Sequence, residues 1–411
     1  MSAGAANRRG DARPLRIGLF GQFGIGNLGN EGSLEALLRF VRAQAPDADL
    51  VCICSDPSFV EGAHGVAAVP IRAPKSAGAL MRLADRVLLG MPSRFSNLAH
   101  AVTHASRLDV LFVPGTGVFD DFGATSFGQP YDMWRWCRAA RIGGARLAFV
   151  SVGAGPISRW LSRVLMKSAA ATAGYRSYRD IPSKAFANSI HMGVPQDPVF
   201  PDLVFSLPVP ERPRHDDKAL TVALGVMAYY GWSGDGPAIY ERYIAALSAY
   251  AVWLLNSGRR IKLVIGKDKD ADAVADLLKR LEAAVPQLLS QVDPFEPAAN
   301  LHDVMAQMAA CDIAVATRFH NVVCALNVGT PVISLGYAEK NQALLEQMGL
   351  GAYGQDVEGF DLELLKAHTE QVIADRDRLA AAIRLKAADY AVQLAQQERI
   401  LAEEFLGTAP Q

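Results

Sequence analysis

The chain has 411 residues, half of them apolar and a fifth charged, with 41 Lys and Arg against 42 Asp and Glu. That composition excludes a disordered chain, and a formal net charge of -1 gives no reason to expect a nucleic-acid groove. At this length two domains are expected, each able to bury its own core.

The first residues, MSAGAANRRGDARP, carry arginines with no apolar run behind them, so residues 1–14 read as a disordered tail and not as a signal peptide. LRIGLFGQ, 15–22, is an apolar strand ending in glycines, and EGSLEALLRFVRAQ follows at helical spacing. DLVCICS, DVLFVPG and RLAFVSVG are further strands, with MWRWCRAARIGG a helix between the last two. LMRLADRVLL, inside a Pro-, Gly- and Ser-containing stretch, is expected as a helix bordering a cleft. The alternation continues through GYRSYRD and PDLVF. This βαβ series predicts a parallel sheet covered by helices over 15–206. Residues 207–220, rich in Pro and charge, read as a linker. A second series, LTVALGVM, RIKLVIG, CDIAVAT and TPVISLGY with helices between them, predicts a second domain over 221–374. Residues 375–411 are a long amphipathic helix pattern expected to pack back toward the N-terminal domain.

No window of eighteen apolar residues occurs, so no membrane span is expected. The five cysteines sit mostly in apolar patterns without metal or redox spacing, which points to a reduced, cytoplasmic protein. GKDKDAD, 266–272, lacks both the phosphate-loop and the calcium-loop pattern and reads as a solvated loop. His100 and His104 share a helical spacing but have no third ligand, so no metal site is expected.

The stretch ATRFHNVVCALNVGTPVISLGYAEK, 316–340, places Arg318 and His320 just after one strand and Tyr337 and Lys340 just after the next. Ligands in open α/β sheets sit at the carboxyl ends of strands. A guanidinium, an imidazole and an ammonium gathered there suit an anion bearing phosphate and carboxylate. The bland alternative is that Arg318 and His320 only cap strand and helix ends. Upstream, Gly21, Gly24 and Gly26 follow a strand, and Asn27, Asn30 and Glu31 suit sugar hydroxyls, although Asn30 equally suits a helix cap. Asp120 and Asp121 follow a second strand and glycine turn; each is either a hydroxyl ligand or a solvated loop charge. Arg179 and Asp180 either pair with each other or offer a cation to the ligand.

These elements resemble the polysaccharide pyruvyl transferases. R-F-H after a strand, a small-residue helix, G-T-P-V-I and Y-x-x-K are similar to that family's C-terminal pattern. GQFGIGNLGNEGSLEALL, VPGTGVFDD, SVGAGPI and YRDIPS resemble its glycine-rich opening, G-G-G-Asp, S-x-G-x-G-P and R-D-x-x-S elements, in the family's order. The chain departs from the pattern with GTG at 115–117 and with Asn30 where many members carry Asp. The resemblance implies two Rossmann-like parallel-sheet domains facing across a cleft, the GT-B architecture. It also implies a ketal-forming transferase that takes phosphoenolpyruvate as donor substrate, with no cofactor, and a glycan or lipid-linked sugar as acceptor. His320 and Arg318 would be catalytic. Arg179, Arg318, Lys340 and Tyr337 would bind the donor, and Asn27, Asn30, Glu31, Thr116 and Asp120 the acceptor. Peripheral membrane contact is compatible with this expectation. The alternatives are a GT-B glycosyltransferase using a nucleotide sugar and a non-catalytic sugar-phosphate binding protein. Against the first, Glu339 and Glu346 are seven apart, one short of the E-x7-E spacing of many retaining enzymes.

Overall fold

The computed structural model describes residues 13–74, 85–88, 90–212, 219–231 and 234–407. Most of the expected tail, most of LMRLADRVLL and linker positions 213–218 lie outside the described residues.

Two parallel sheets form. The first contains β1 (Arg16–Phe20), β2 (Asp49–Cys54), β3 (Ala67–Pro70), β4 (Val110–Pro114), β5 (Gly117–Phe119), β6 (Arg146–Ala154) and β7 (Tyr175–Tyr178). Its order is β3-β2-β1-β4-β6-β5, with β7 also paired to β6. The second contains β8 (Thr221–Gly225), β9 (Arg260–Val264), β10 (Ile313–Ala316), β11 (Val332–Gly336) and β12 (Gly354–Asp356), in the order β12-β11-β10-β8-β9. Every residue of β4 and of β10 is buried, because helices cover both faces of each sheet. This is why those strands are continuous apolar runs in the sequence.

PDLVF does not continue the first sheet. Leu203–Ser206 is a 3₁₀ turn, and Asp202 caps it by accepting from the Val204 N–H at 3.1 Å. A side chain that bonds its own backbone competes with the ladder, and here the cap wins. The turn is buried between the first and second halves of the chain: Asn327 Nδ2 donates to the Val204 carbonyl at 3.1 Å. The helix Arg376–Leu401 spans the same seam. Tyr390 donates to Gln347 Oε1 at 2.8 Å, and Gln397 Nε2 donates to Ser177 Oγ at 2.6 Å.

The carboxyl ends of the two sheets are brought together by the glycine loop after β1. Asn27 forms an isolated antiparallel bridge with Lys267, and the Asp268 N–H donates to the Gly26 carbonyl at 3.4 Å. No described helix is long and apolar enough to cross a membrane.

Candidate active site

β10 ends at Ala316, and Arg318 is the residue at which strand geometry gives way to the helix Phe319–Asn327. Its side chain does not present a free fork to a ligand. Nε donates to Asp270 Oδ2 at 2.8 Å and Nη2 donates to Asp270 Oδ1 at 2.6 Å. Nε and Nη2 are therefore spent on Asp270, and Nη1 is the nitrogen without a partner among the described residues. Asp270 is also not a solvated loop charge. It is fully buried, because the Arg318 fork and the Ala228 N–H at 3.0 Å satisfy its oxygens.

His320 lies in the first turn of the same helix. The face of its ring lies over Gly29, where a Cβ would come 1.9 Å from Nδ1. Only glycine admits the imidazole there. Nε2 stands 3.7 Å from Asp202 Oδ2, and Asp202 also faces Arg179 Nη1 at 3.5 Å. Burial alone would raise the Asp202 carboxyl, but His320, Arg179 and the Val204 N–H outweigh it and hold it below its ordinary range.

Arg179 is buried and meets Asp180 Oδ2 at 3.3 Å as well as Asp202. Its guanidinium carbon lies 4.5 Å from the Phe319 ring centre, and a Cβ on Gly153 would meet its Nη2 at 2.7 Å. The glycine of SVGAG is thus needed for the arginine to reach the cleft. The R-D-x-x-S run has a local reason too: Asp180 Oδ1 accepts from the Ser183 N–H at 2.7 Å and caps the next helix. Lys340 Nζ lies 5.3 Å from the Phe319 ring centre and 5.1 Å from that of Tyr337. Burial would raise the Tyr337 phenol, yet Lys340, Arg318 and Arg179 bring it below its ordinary value. Burial, then Arg318 and Lys269, lowers the Lys267 ammonium. No carboxylate pairs with Lys267 or Lys340 among the described residues.

On the N-terminal side the polar residues divide. Asn27 caps the helix Leu28–Gln44 by accepting from the Gly29 N–H at 3.2 Å, so the cap is Asn27 and not Asn30. Asn30 Nδ2 donates to the Gln22 carbonyl at 2.9 Å. Glu31 is corrected as an acceptor ligand: it is buried away from the cleft, and Oε1 accepts from the Gly24 N–H at 2.7 Å. Its carboxylate closes the glycine loop. Asp121 is likewise engaged, accepting from the Ser158 and Arg159 N–H groups at 2.8 and 2.9 Å. Asp120 turns into the cleft. Burial raises its carboxyl, with Lys340 and Arg179 acting against that rise.

Two cavities meet here. A small one of about 100 Å³ is lined by Asn27, Asn30, Thr116, Lys267, Phe319 and His320, together with Arg179, Arg318, Tyr337 and Lys340. A larger groove of about 1050 Å³ shares Arg179, Tyr337 and Lys340 with it and adds Asp120, Phe122, Arg159 and Phe186. The small cavity is rich in cations and the groove is mixed. Asn27, Asn30 and Thr116 line the small cavity beside the cations, and Asp120 lines the groove.

The sequence that carries these motifs matches a described family. The profile of the polysaccharide pyruvyl transferases aligns with residues 27–339. The chain belongs to this family. Over 51 residues it is also 31% identical to the amylovoran biosynthesis protein AmsJ of Erwinia amylovora, a match spanning 12% of either chain. Among solved structures, S. aureus MnaA, determined with UDP, superposes with a TM-score of 0.60 at 9% identity, covering 96% of this chain and 99% of that one. A UDP-N-acetylglucosamine 2-epimerase gives 0.60 at 10% identity over 97% and 99%. A glycosyltransferase of Rickettsia africae gives 0.57 at 11% over 96% and 99%. These likenesses establish the GT-B fold.

In this pyruvyl transferase family member, Asp202, Lys267, Asp270 and Phe319 belong to the site without standing out as candidates in the sequence. Asp202 carried a weak signal, an acid alone in the apolar run VFPDLVF. Asp270 and Lys267 carried none, since charges in GKDKDAD look alike until the fold buries one of them. Phe319 stands out in the sequence only as the middle of R-F-H. Its ring is 5% exposed and forms the wall on which Arg179 and Lys340 rest.

Proposed function

We propose that the protein moves the three-carbon unit of phosphoenolpyruvate onto two hydroxyls of one sugar residue, forming a cyclic ketal and releasing phosphate. The observation that carries this reading is a small cationic cavity opening into a groove about ten times its size, with Arg179, Tyr337 and Lys340 at the junction. Phosphoenolpyruvate bears a phosphate and a carboxylate on three carbons. Lys267 and Lys340, which have no carboxylate partners among the described residues, receive these charges, with Arg318 Nη1 and Arg179 beside them.

His320 gives a proton to the methylene carbon, and the neighbouring carbon becomes an oxocarbenium centre. Asp202, 3.7 Å from Nε2, supplies a negative charge behind the ring. A sugar hydroxyl adds to that centre and loses its proton to Asp120. The phosphate then leaves with the electrons of its C–O bond, stabilised by the lysines. A second hydroxyl of the same sugar closes the ketal, and its proton departs with the phosphate. The acceptor is a glycan or a lipid-linked sugar precursor. A cytoplasmic location belongs to the same proposal, in keeping with five buried free cysteines.

The test is incubation with phosphoenolpyruvate and a panel of glycans, reading phosphate and acceptor mass together. One phosphate per acceptor, with a mass gain equal to pyruvate less water, is expected. Phosphate release with unmodified acceptors would refute transfer. Thermal stabilisation by uridine or guanosine diphosphate, and none by phosphoenolpyruvate, would favour a nucleotide-sugar glycosyltransferase instead.

A further inference from the structure

Charge is unevenly spread along this nearly neutral chain. Residues 62–210 contain sixteen Lys or Arg, eight Asp and no Glu, a formal +8 in a protein whose total is -1. The same half holds an unusual amount of apolar surface. Phe95 and Trp160 are each 75% exposed, Ile181 65%, Met91 60% and Val164 53%.

These side chains lie at one end of the N-terminal domain. Met91 and Phe95 are in the first turns of the helix Met91–Ala105, Trp160 and Val164 in those of Trp160–Ala170, and Ile181 begins Ile181–Ser189. Helices between parallel strands start at the carboxyl ends of those strands, the end where the groove opens. Met91 and Phe95 are four apart, as are Trp160 and Val164, so each pair forms a solvent-facing stripe.

Direct contacts join the stripes. The Arg94 guanidinium lies 3.7 Å from the ring centre of Phe127, which is itself exposed. The loop carrying Phe127 meets the second helix through Ser126 Oγ and Ser162 Oγ at 2.9 Å. Arg159, at the start of that helix, lines the groove, as does Pro182 beside Ile181. Cations are interleaved throughout: Arg86, Arg94, Arg163 and Lys184. Of the acids on this stretch, Asp121 and Asp180 are occupied by backbone N–H groups and Asp132 is buried with Arg135.

We propose that this rim docks on an anionic lipid bilayer, with Trp160 and Phe95 entering the headgroup boundary and the arginines and Lys184 facing lipid phosphates. Aromatic and aliphatic side chains set among Arg and Lys have the chemistry that interfacial binding needs, and an anionic surface is the complement of a +8 half. The groove then opens beside the membrane plane. The opposite half offers no such surface: between residues 221 and 374 the large apolar side chains exposed among the described residues are Tyr230 and Leu364.

The test uses the full chain and vesicles of phosphatidylcholine with and without phosphatidylglycerol, read by co-sedimentation. No turnover is involved, so the result stands apart from the donor reading. Wild type is expected to bind the anionic vesicles, and less as salt rises. The double variant Phe95→Ser/Trp160→Ser and the triple variant Arg86→Gln/Arg163→Gln/Lys184→Gln should each bind about tenfold more weakly or worse, with wild-type melting temperatures. Absence of wild-type binding would overturn the proposal. So would binding that ignores phosphatidylglycerol and both variants. A dimer that the apolar variant converts to a monomer, with vesicle binding unchanged, would overturn it in favour of a second copy of the chain.

Discussion

The two walls of the cleft use their polar residues differently. On the C-terminal wall, Arg318, His320, Tyr337 and Lys340 all reach the small cavity, and their supports come from elsewhere in the chain: Asp270, Asp202 and Phe319. On the N-terminal wall, many polar side chains are consumed by the loops that carry them. Glu31 closes the glycine loop, Asp121 accepts from the Ser158 and Arg159 N–H groups ahead of a helix, Asp180 caps the helix that follows it, and Asn27 caps its own. Asp120 accepts from the Phe122 N–H at 3.2 Å and still lines the groove, as do Asp121 and Asp180. Glycine-rich turns and helix starts have orphan N–H groups, and nearby carboxylates satisfy them before any ligand arrives. A polar motif in such a turn is thus weaker evidence of binding than a cation after a buried strand.

Perturbing one wall at a time sharpens this contrast. The largest effect is expected at His320. His320→Ala should lower turnover roughly 10²–10⁴-fold, with donor affinity nearly retained. Near-normal turnover in His320→Asn or His320→Gln would remove the proton-transfer role, because an amide keeps a hydrogen bond but exchanges no proton near neutral pH.

Next comes the support behind the cations. Asp270→Ala leaves Arg318 without its partner in a buried site, and losing one member of a buried pair costs about 3–5 kcal/mol. Urea unfolding should register this in Asp270→Ala and in Arg318→Ala. Arg318→Lys should recover little, because an ammonium does not span both Asp270 oxygens. Wild-type stability in Asp270→Ala would show that the pair is not structural.

Lys267→Ala and Lys340→Ala should each weaken phosphoenolpyruvate binding about tenfold to a hundredfold, at about 1.5–3 kcal/mol per charge-assisted contact. Calorimetric titration separates the two lysines. If only Lys340 matters, the donor lies entirely on the β11 side of the cavity.

Gly29→Ala joins the walls, since its methyl must displace the imidazole. Overpacking of this kind costs about 1–3 kcal/mol. Turnover should fall while the melting temperature changes modestly. Unchanged turnover would mean that His320 works from another position.

The smallest effect is the pH dependence of Asp120. Its carboxyl is raised in the fold, so the folded state binds the proton more tightly than the unfolded chain does. Stability from this residue is therefore present at low pH and is lost as pH rises through its ordinary range toward the folded value. Asp120→Asn should raise the melting temperature slightly at neutral pH and not at acid pH, while turnover drops at both. A uniform shift at all pH values would contradict the burial of this carboxyl.

Sequence alone determined the fold class and most of one wall. Buried parallel strands must be apolar on both faces, so CDIAVAT and TPVISLGY announced themselves, and chain direction put Arg318, His320 and Lys340 at their carboxyl ends. Only the tertiary structure decided which charges were already spent. Asp270 is 48 residues from Arg318 and Asp202 is 118 from His320, and neither distance leaves a periodic trace. PDLVF became a turn for a similar reason: its Asp202 cap and the Asn327 contact outweigh strand propensity, and both depend on how the two halves meet. A carboxylate's environment is set by what the fold brings against it, and that is why Glu31 is spent on the Gly24 N–H while Asp120 lines the groove.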